Sequence, residues 1–146
     1  MQVDFYHLAA VPLERVLPRI AERLLGDGQR LLVVAGEQAL AARIDADLWT
    51  YAPDAFLPHG RAGAEGEADQ PLLISTATNP ANGARNIAIV DGMWRDEALG
   101  FDRAFYLFDA GTIDGARAAW RTLGMREDIV RRYWKQDEDG RWREGP

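Results

Sequence analysis

Late in the chain, two arginines four residues apart bracket a tryptophan in Arg117-Ala118-Ala119-Trp120-Arg121. On a helix, that spacing puts both guanidinium groups on one face, with the indole offset beside them. Guanidinium groups pair with carboxylates through charge-assisted hydrogen bonds, and a neighbouring aromatic can pack an apolar side chain. The group therefore suits the end of an acidic peptide. Arg131, Arg132, Tyr133, Trp134 and Lys135 would extend the same basic, aromatic surface. A blander arrangement uses the same residues, with Trp120 in the core and the arginines solvated. The sequence leaves both open.

A second constellation runs from Leu48 to Gly60. Trp49, Tyr51 and Phe56 stand where the chain leaves a predicted helix, and Pro53 and Pro58 stiffen the backbone around them. Pre-ordered aromatics lose little side-chain entropy on docking, which makes such a loop a good protein-binding surface. The same aromatics could instead plug the end of the core.

Catalytic chemistry finds thin support. With no cysteine, thiol nucleophiles, zinc–thiolate sites, iron–sulfur clusters and disulfides are excluded. Lys135 is the only lysine, and it lies far from any Gly-rich loop, so a Schiff base or a Walker A site is not expected. The residues after the first predicted strand, His7-Leu8-Ala9-Ala10-Val11-Pro12, hold no glycine where a dinucleotide-binding turn needs it. Ser75, the only serine, lacks the glycines of a nucleophile elbow. His7 and His59 are the only histidines, and neither has a second ligand at metal spacing. Neither a metal nor a cofactor is expected. The competing enzyme hypothesis is a small-molecule α/β hydrolase using Ser75, His59 and Asp91. It requires those three groups to converge in one pocket.

These residues must be positioned by alternating strands and helices. Val3–Leu8 alternates and reads as a strand. Leu13, Val16, Leu17, Ile20 and Leu24 form one apolar stripe of a helix that Pro12 opens, Pro18 interrupts and Gly26-Asp27-Gly28 stops. Leu31–Ala35 is a wholly apolar run of the kind a strand buried on both faces requires. Ala39, Leu40, Ile44 and Leu48 mark a second helix, and residues 52–71, rich in Pro, Gly and acids, read as a long loop. Leu72–Ser75, Asn86–Val90 and Arg103–Phe108 read as strands, and Ile113, Ala116, Trp120 and Leu123 as a helical stripe ended by Gly124. Arg126–Gln136 reads as a last helix, with a fraying polar tail after Asp137. This order predicts one α/β domain over residues 1–146. Its sheet would be open, twisted and mainly parallel, with helices on both faces, a Rossmann-like topology without a nucleotide-binding loop.

Charge narrows the partners. Net charge is −6 over 146 residues. Residues 1–112 carry nine arginines against 16 acids, or −7, whereas residues 113–136 carry six basic residues against three acids, or +3. A basic patch on an acidic protein suits an acidic peptide better than bulk nucleic acid. Direct single-strand binding through Trp120 and Trp134 would need a steeply basic surface, so strong direct DNA binding is not expected. No apolar run approaches the roughly 20 residues of a membrane span, and Met1–Tyr6 lacks the features of an export signal, so a cytoplasmic location and no membrane partner are expected.

At both constellations the sequence resembles the chi subunit of bacterial DNA polymerase III holoenzyme. The resemblance is carried by Val3-Asp4-Phe5-Tyr6-His7-Leu8, Gln29-Arg30-Leu31-Leu32-Val33, Asp47-Leu48-Trp49 followed by Asp54-Ala55-Phe56-Leu57-Pro58-His59, and Asp114-x-x-Arg117-x-x-Trp120-Arg121. The segments Asn79–Phe101 and Lys135–Pro146 depart from that pattern. The resemblance implies a non-catalytic adaptor with a doubly wound fold and no bound nucleotide. It implies that Arg117, Trp120 and Arg121 bind the acidic C-terminal tail of single-stranded-DNA-binding protein. It further implies that Trp49, Phe56 and Pro58 meet the psi subunit or an equivalent partner, and through it the clamp loader.

Overall fold

Strand residues alternate between the two faces of a sheet, so a strand apolar at every position needs cover on both sides. A computed structural model of the chain, describing residues 1–9, 11–51, 57–137, 139 and 141–145, supplies that cover. Its strands are β1 (Gln2–His7), β2 (Leu31–Val34), β3 (His59–Arg61), β4 (Leu72–Ser75), β5 (Asn86–Ile89), β6 (Arg103–Phe108), β7 (Val130–Gln136) and β8 (Trp142–Glu144). Its helices are α1 (Leu13–Gly26), α2 (Gln38–Trp49) and α3 (Ile113–Leu123). Among the described residues, the strands form one sheet in the order β3-β4-β2-β5-β6-β1-β7-β8. Every pairing is parallel except β7 with β8.

The predicted mainly parallel sheet with helices on both faces is what forms. Val16, Leu17, Ile20 and Leu24 of α1 and Ala41, Ile44 and Leu48 of α2 pack on one face, against Leu31, Val33, Leu72, Ile74, Phe105 and Leu107. Ala116, Ala119 and Leu123 of α3 pack on the other, against Val3, Phe5, Ala104, Tyr106 and Phe108. The helix over the first stripe runs through Pro18, whose ring is buried in the core. No helix among the described residues is long and apolar enough to cross a membrane.

Three readings of the sequence need correction. The predicted helix over Arg126–Gln136 is instead a turn followed by β7, with Val130 in register with Gln2 of β1. Alternation explains it: Tyr133 packs on the α3 side of the sheet, whereas Trp134 stacks on Tyr6 on the other side, with centroids 6.4 Å apart and planes at 18°. An open flank of β1 won over a modest helical propensity. The tail expected to fray contains β8, where Trp142 pairs with Gln136 and packs edge-on to Tyr6 at 5.2 Å. The long loop contains β3, which extends the sheet beyond β4.

Asp4 is a feature that the strand pattern alone does not explain. It lies fully buried on β1, yet its carboxylate is satisfied. Arg103 of β6 pairs with it at 2.7 Å, and the Trp134 indole of β7 donates to it at 3.2 Å. A buried charge persists only when paired and hydrogen-bonded. Here the pairing ties β6, β1 and β7 together across the sheet.

Leu73, fully buried in β4, is the simplest probe of this core. Leu73→Ala is expected to lower stability by about 2–5 kcal/mol. Urea unfolding of the two proteins measures it; a loss under about 1 kcal/mol would show the site to be loosely packed.

Candidate functional site

α3 is the element that builds the site. Its entry is set by a reciprocal turn in which the Asp109 amide donates to the Thr112 hydroxyl at 3.0 Å and the Thr112 amide to Asp109 Oδ1 at 3.1 Å. Ala116, Ala119 and Leu123 then face the sheet at i, i+3 and i+7. That leaves Arg117 and Arg121 exposed and Trp120 half-buried at the border between them. Both arrangements left open by the sequence hold in part: the indole is anchored in the core and still reaches the surface.

The anchoring is specific. Phe5 meets the Trp120 ring edge-on, with centroids 5.1 Å apart and planes at 80°. Tyr133 of β7 closes a third side at 6.2 Å. Arg131, also from β7, lies over the indole face with Cζ 4.1 Å from the ring centroid. Its Nη1 donates to the Trp120 carbonyl at 2.6 Å, near the C-terminal end of α3, where partial negative charge favours a cation. A cleft of about 270 Å³ opens beside this stack, lined by Phe5, Phe108, Ile113, Ala116, Arg117, Trp120, Arg121 and Tyr133. Its floor is aromatic and apolar, and its rim carries two guanidinium groups.

These two rim cations are available. Arg117 sits 3.9 Å from Asp114, but both side chains are largely exposed, so the pair contributes little. Arg121 has no ion-pair partner among the described residues. Arg131 is the residue whose part the sequence concealed. Read on a helix it is one of a row of basic residues; placed on β7 it turns back toward α3. The signal that could have placed it was the alternation from Val130 onward.

The described residues of the second constellation lie on the opposite face of the sheet. Trp49 ends α2 with 59% of its surface exposed, Leu57 is buried and Pro58 half-buried. Phe56 and Pro53 lie outside the described residues. Trp120 and Trp134 also fall on opposite faces, which separates the two indoles a single-strand platform would have used.

The hydrolase residues do not converge. Ser75 Oγ accepts from the Ala77 amide at 3.0 Å. His59 contacts Asp45 at 2.9 Å, in register with Leu72 rather than with Ser75. Asp91, beyond β5 and two strands from β4, holds Arg95 in a bidentate pair at 2.7 and 3.0 Å. Those hydrogen bonds hold the Arg95 guanidinium above its ordinary range.

That ion pair occupies the crevice at the carboxyl ends of the strands, where α/β sheets often bind ligands. It packs so closely on Gly36, whose φ is +76°, that a Cβ there would meet Asp91 Oδ2. Glu14, Glu37 and Asp109 line the same crevice against one further cation, Arg43, so its charge is net negative and disfavours a phosphate.

Gly124 offers a test of the Arg131 stack, because a Cβ there would lie 2.6 Å from the Arg131 Cζ. A flexible side chain can move aside, so Gly124→Ala is expected to fold normally while lifting Arg131 off Trp120. In NMR spectra, the guanidinium protons of Arg131 should lose the upfield ring-current shift they have in the wild-type protein. Unchanged shifts would contradict the stack.

Comparison with known proteins bears on this geometry. A family model for the DNA polymerase III chi subunit, HolC, matches residues 1–127. The DNA polymerase III subunit chi of Pseudomonas aeruginosa is 31% identical over 84 residues, 56% of this chain. The aligned stretch spans 58% of that relative's length. The match takes in the whole of α3, whereas Arg131 and Tyr133 lie beyond it. On this match, the chain belongs to the DNA polymerase III chi subunit family of replication subunits.

Proposed function

We propose that this protein is a non-catalytic adaptor of the cytoplasmic replication machinery that docks the acidic C-terminal tail of single-stranded-DNA-binding protein in the cleft beside Trp120. The observation that carries the reading is the joining of an apolar aromatic floor to two accessible guanidinium groups on one helix. A tail ending in an apolar residue needs both parts. Arg117 and Arg121 neutralise its terminal carboxylate and its acidic residues. The free flank of Trp120, with Ile113 and Phe108, takes the terminal side chain. A charge-assisted hydrogen bond contributes about 1.5–3 kcal/mol, and burial of a Phe-sized group about 1.5–3 kcal/mol. After ordering costs, contacts of this size suit a weak, reversible peptide complex, with affinity expected in the micromolar range. Exposed cations make that affinity fall with salt.

The surface around Trp49, with Phe56 and Pro58, takes a second partner in this reading, the psi subunit or an equivalent link to the clamp loader. Its place on the other face of the sheet supports simultaneous occupancy. The adaptor thus bridges the two partners.

Calorimetry with a synthetic acidic peptide ending in Asp-x-Pro-Phe tests the first surface. Arg117→Ala and Arg121→Ala are each expected to weaken binding about tenfold, the equivalent of about 1.4 kcal/mol. Amidating the peptide's carboxylate should weaken binding to the wild-type protein by a similar factor. Equal binding by the double variant would refute the assignment. For the second surface, Trp49→Ala and Pro58→Ala are expected to leave peptide affinity within about twofold while reducing capture of psi; loss of both activities in a folded variant would contradict two separate surfaces.

A further inference from the structure

Arg131, Arg132, Tyr133, Trp134 and Lys135 all stand on β7, and the alternation of that strand divides them. Arg132 and Trp134 share the Tyr6 side of the sheet, where Arg132 lies 3.9 Å from Glu144 of β8. Arg131, Tyr133 and Lys135 share the α3 side. Arg131 is committed to Trp120, and Tyr133 lines the cleft.

Lys135 is left over. It is the only lysine in the chain, and its side chain is exposed. It has no ion-pair partner among the described residues. In register with it stand His7 of β1 and Arg143 of β8. His7 stacks on Phe108, with centroids 5.2 Å apart and planes at 12°, and its Nδ1 lies 3.1 Å from the Tyr133 hydroxyl. Phe108 and Tyr133 both line the cleft. The row that ends in Lys135 therefore continues the cleft floor, about 7 Å beyond Tyr133 along β7. Arg143 is bound to Asp137 at 2.6 Å, and the rest of the Asp137 carboxylate accepts from the amides of Asp139 and Arg141.

An anionic chain finds few favourable ways out of the cleft. Before and within the first turn of α3 stand Asp109 and Asp114. Past its last turn, Arg126 is paired with Asp128 at 2.8 Å, and Glu127 is exposed. Across β7, the charge next to Tyr133 on the cleft side is the Lys135 ammonium. Its flexible four-carbon stem lets it meet a carboxylate from the bank opposite Arg117 and Arg121.

We propose that Lys135 is a further binding residue of this site, which takes an internal acidic side chain of the docked peptide while Arg117 and Arg121 hold the terminal carboxylate. The inference rests on the tail-docking reading and adds a direction to it: the peptide comes in over β7 and ends beside α3. Three residues of extended chain span about 10 Å, so an aspartate three places before the terminal residue reaches β7 from the cleft.

The probe is the synthetic peptide ending in Asp-x-Pro-Phe, with either aspartate or asparagine at its fourth residue from the end. Reductive methylation of the full chain with isotope-labelled methyl groups keeps the charge of Lys135 and gives the protein a single lysine signal in NMR spectra. Lys135→Gln removes that signal and so assigns it. On peptide addition, the lysine signal and the Trp120 indole N–H are expected to shift with one midpoint. In calorimetry, Lys135→Gln should weaken the aspartate peptide about threefold and should no longer distinguish it from the asparagine peptide. Lys135→Arg should bind as the wild-type protein does. A lysine signal that stays still while Trp120 moves overturns the assignment. So does an equal loss on changing aspartate to asparagine in the wild-type and Lys135→Gln proteins. Either result leaves docking through Arg117 and Arg121 standing, whereas a wild-type protein that does not bind the peptide removes the tail-docking reading and this contact together.

Discussion

One indole holds the site together. Trp120 is fixed edge-on by Phe5 from the central strand β1 and covered by the Arg131 guanidinium from β7. An aromatic confined on those sides has little rotamer freedom left to lose when a partner arrives. The same contacts fix α3 against the sheet, and with it the direction in which Arg117 and Arg121 project. Without the Phe5 edge and the Arg131 cover, the two rim cations would be ordinary solvated helix residues, too weakly placed to select a partner.

Sheet order makes that arrangement possible. Placing β1 between β6 and β7 puts Phe5 under α3 and leaves a flank for a strand that arrives last in the chain. β7 serves two ends at once. Its Arg131 and Tyr133 complete the cleft on the α3 side, and its Trp134 locks to Asp4 and Tyr6 on the other. The buried Asp4 carboxylate thus acts at a distance on the cleft beside α3, by fixing the strand whose opposite face supplies the cover for Trp120. α2, across the sheet, carries Trp49 on a surface that shares no residue with the cleft. In the proposed reading, each of the two partners therefore meets its own set of side chains.

The central strands were legible in the sequence because burial on both faces leaves little room for polar residues: Leu31–Val34, Leu72–Ser75 and Arg103–Phe108 stand where their apolar runs put them. The stripes of α1 and α3 were legible for the same reason, one face at a time. The edges were not. β7 carries arginine or lysine at three of its seven positions, because its flank is partly solvated, and its two aromatics serve opposite faces; without a partner strand such a segment has no strong period. β3 and β8 are three residues long, too short to show any. At the site, spacing grouped Arg117, Trp120 and Arg121 on one helix but left open whether the indole was buried. Arg131 was not legible there, because its role depends on a strand pairing between residues more than a hundred positions apart. His59 was visible as a residue but not as a contact of Asp45, since the two stand on different elements, β3 and α2.

Mapping backbone amide shifts while an acidic, carboxylate-terminated peptide is added tests the central claim most directly. Dense, saturable changes at Ile113, Ala116, Arg117, Trp120, Arg121 and Tyr133, with Trp49 and His59 unmoved, are the result that the cleft predicts. Changes centred on the α2 end of the molecule, or scattered over its surface without saturation, would contradict it.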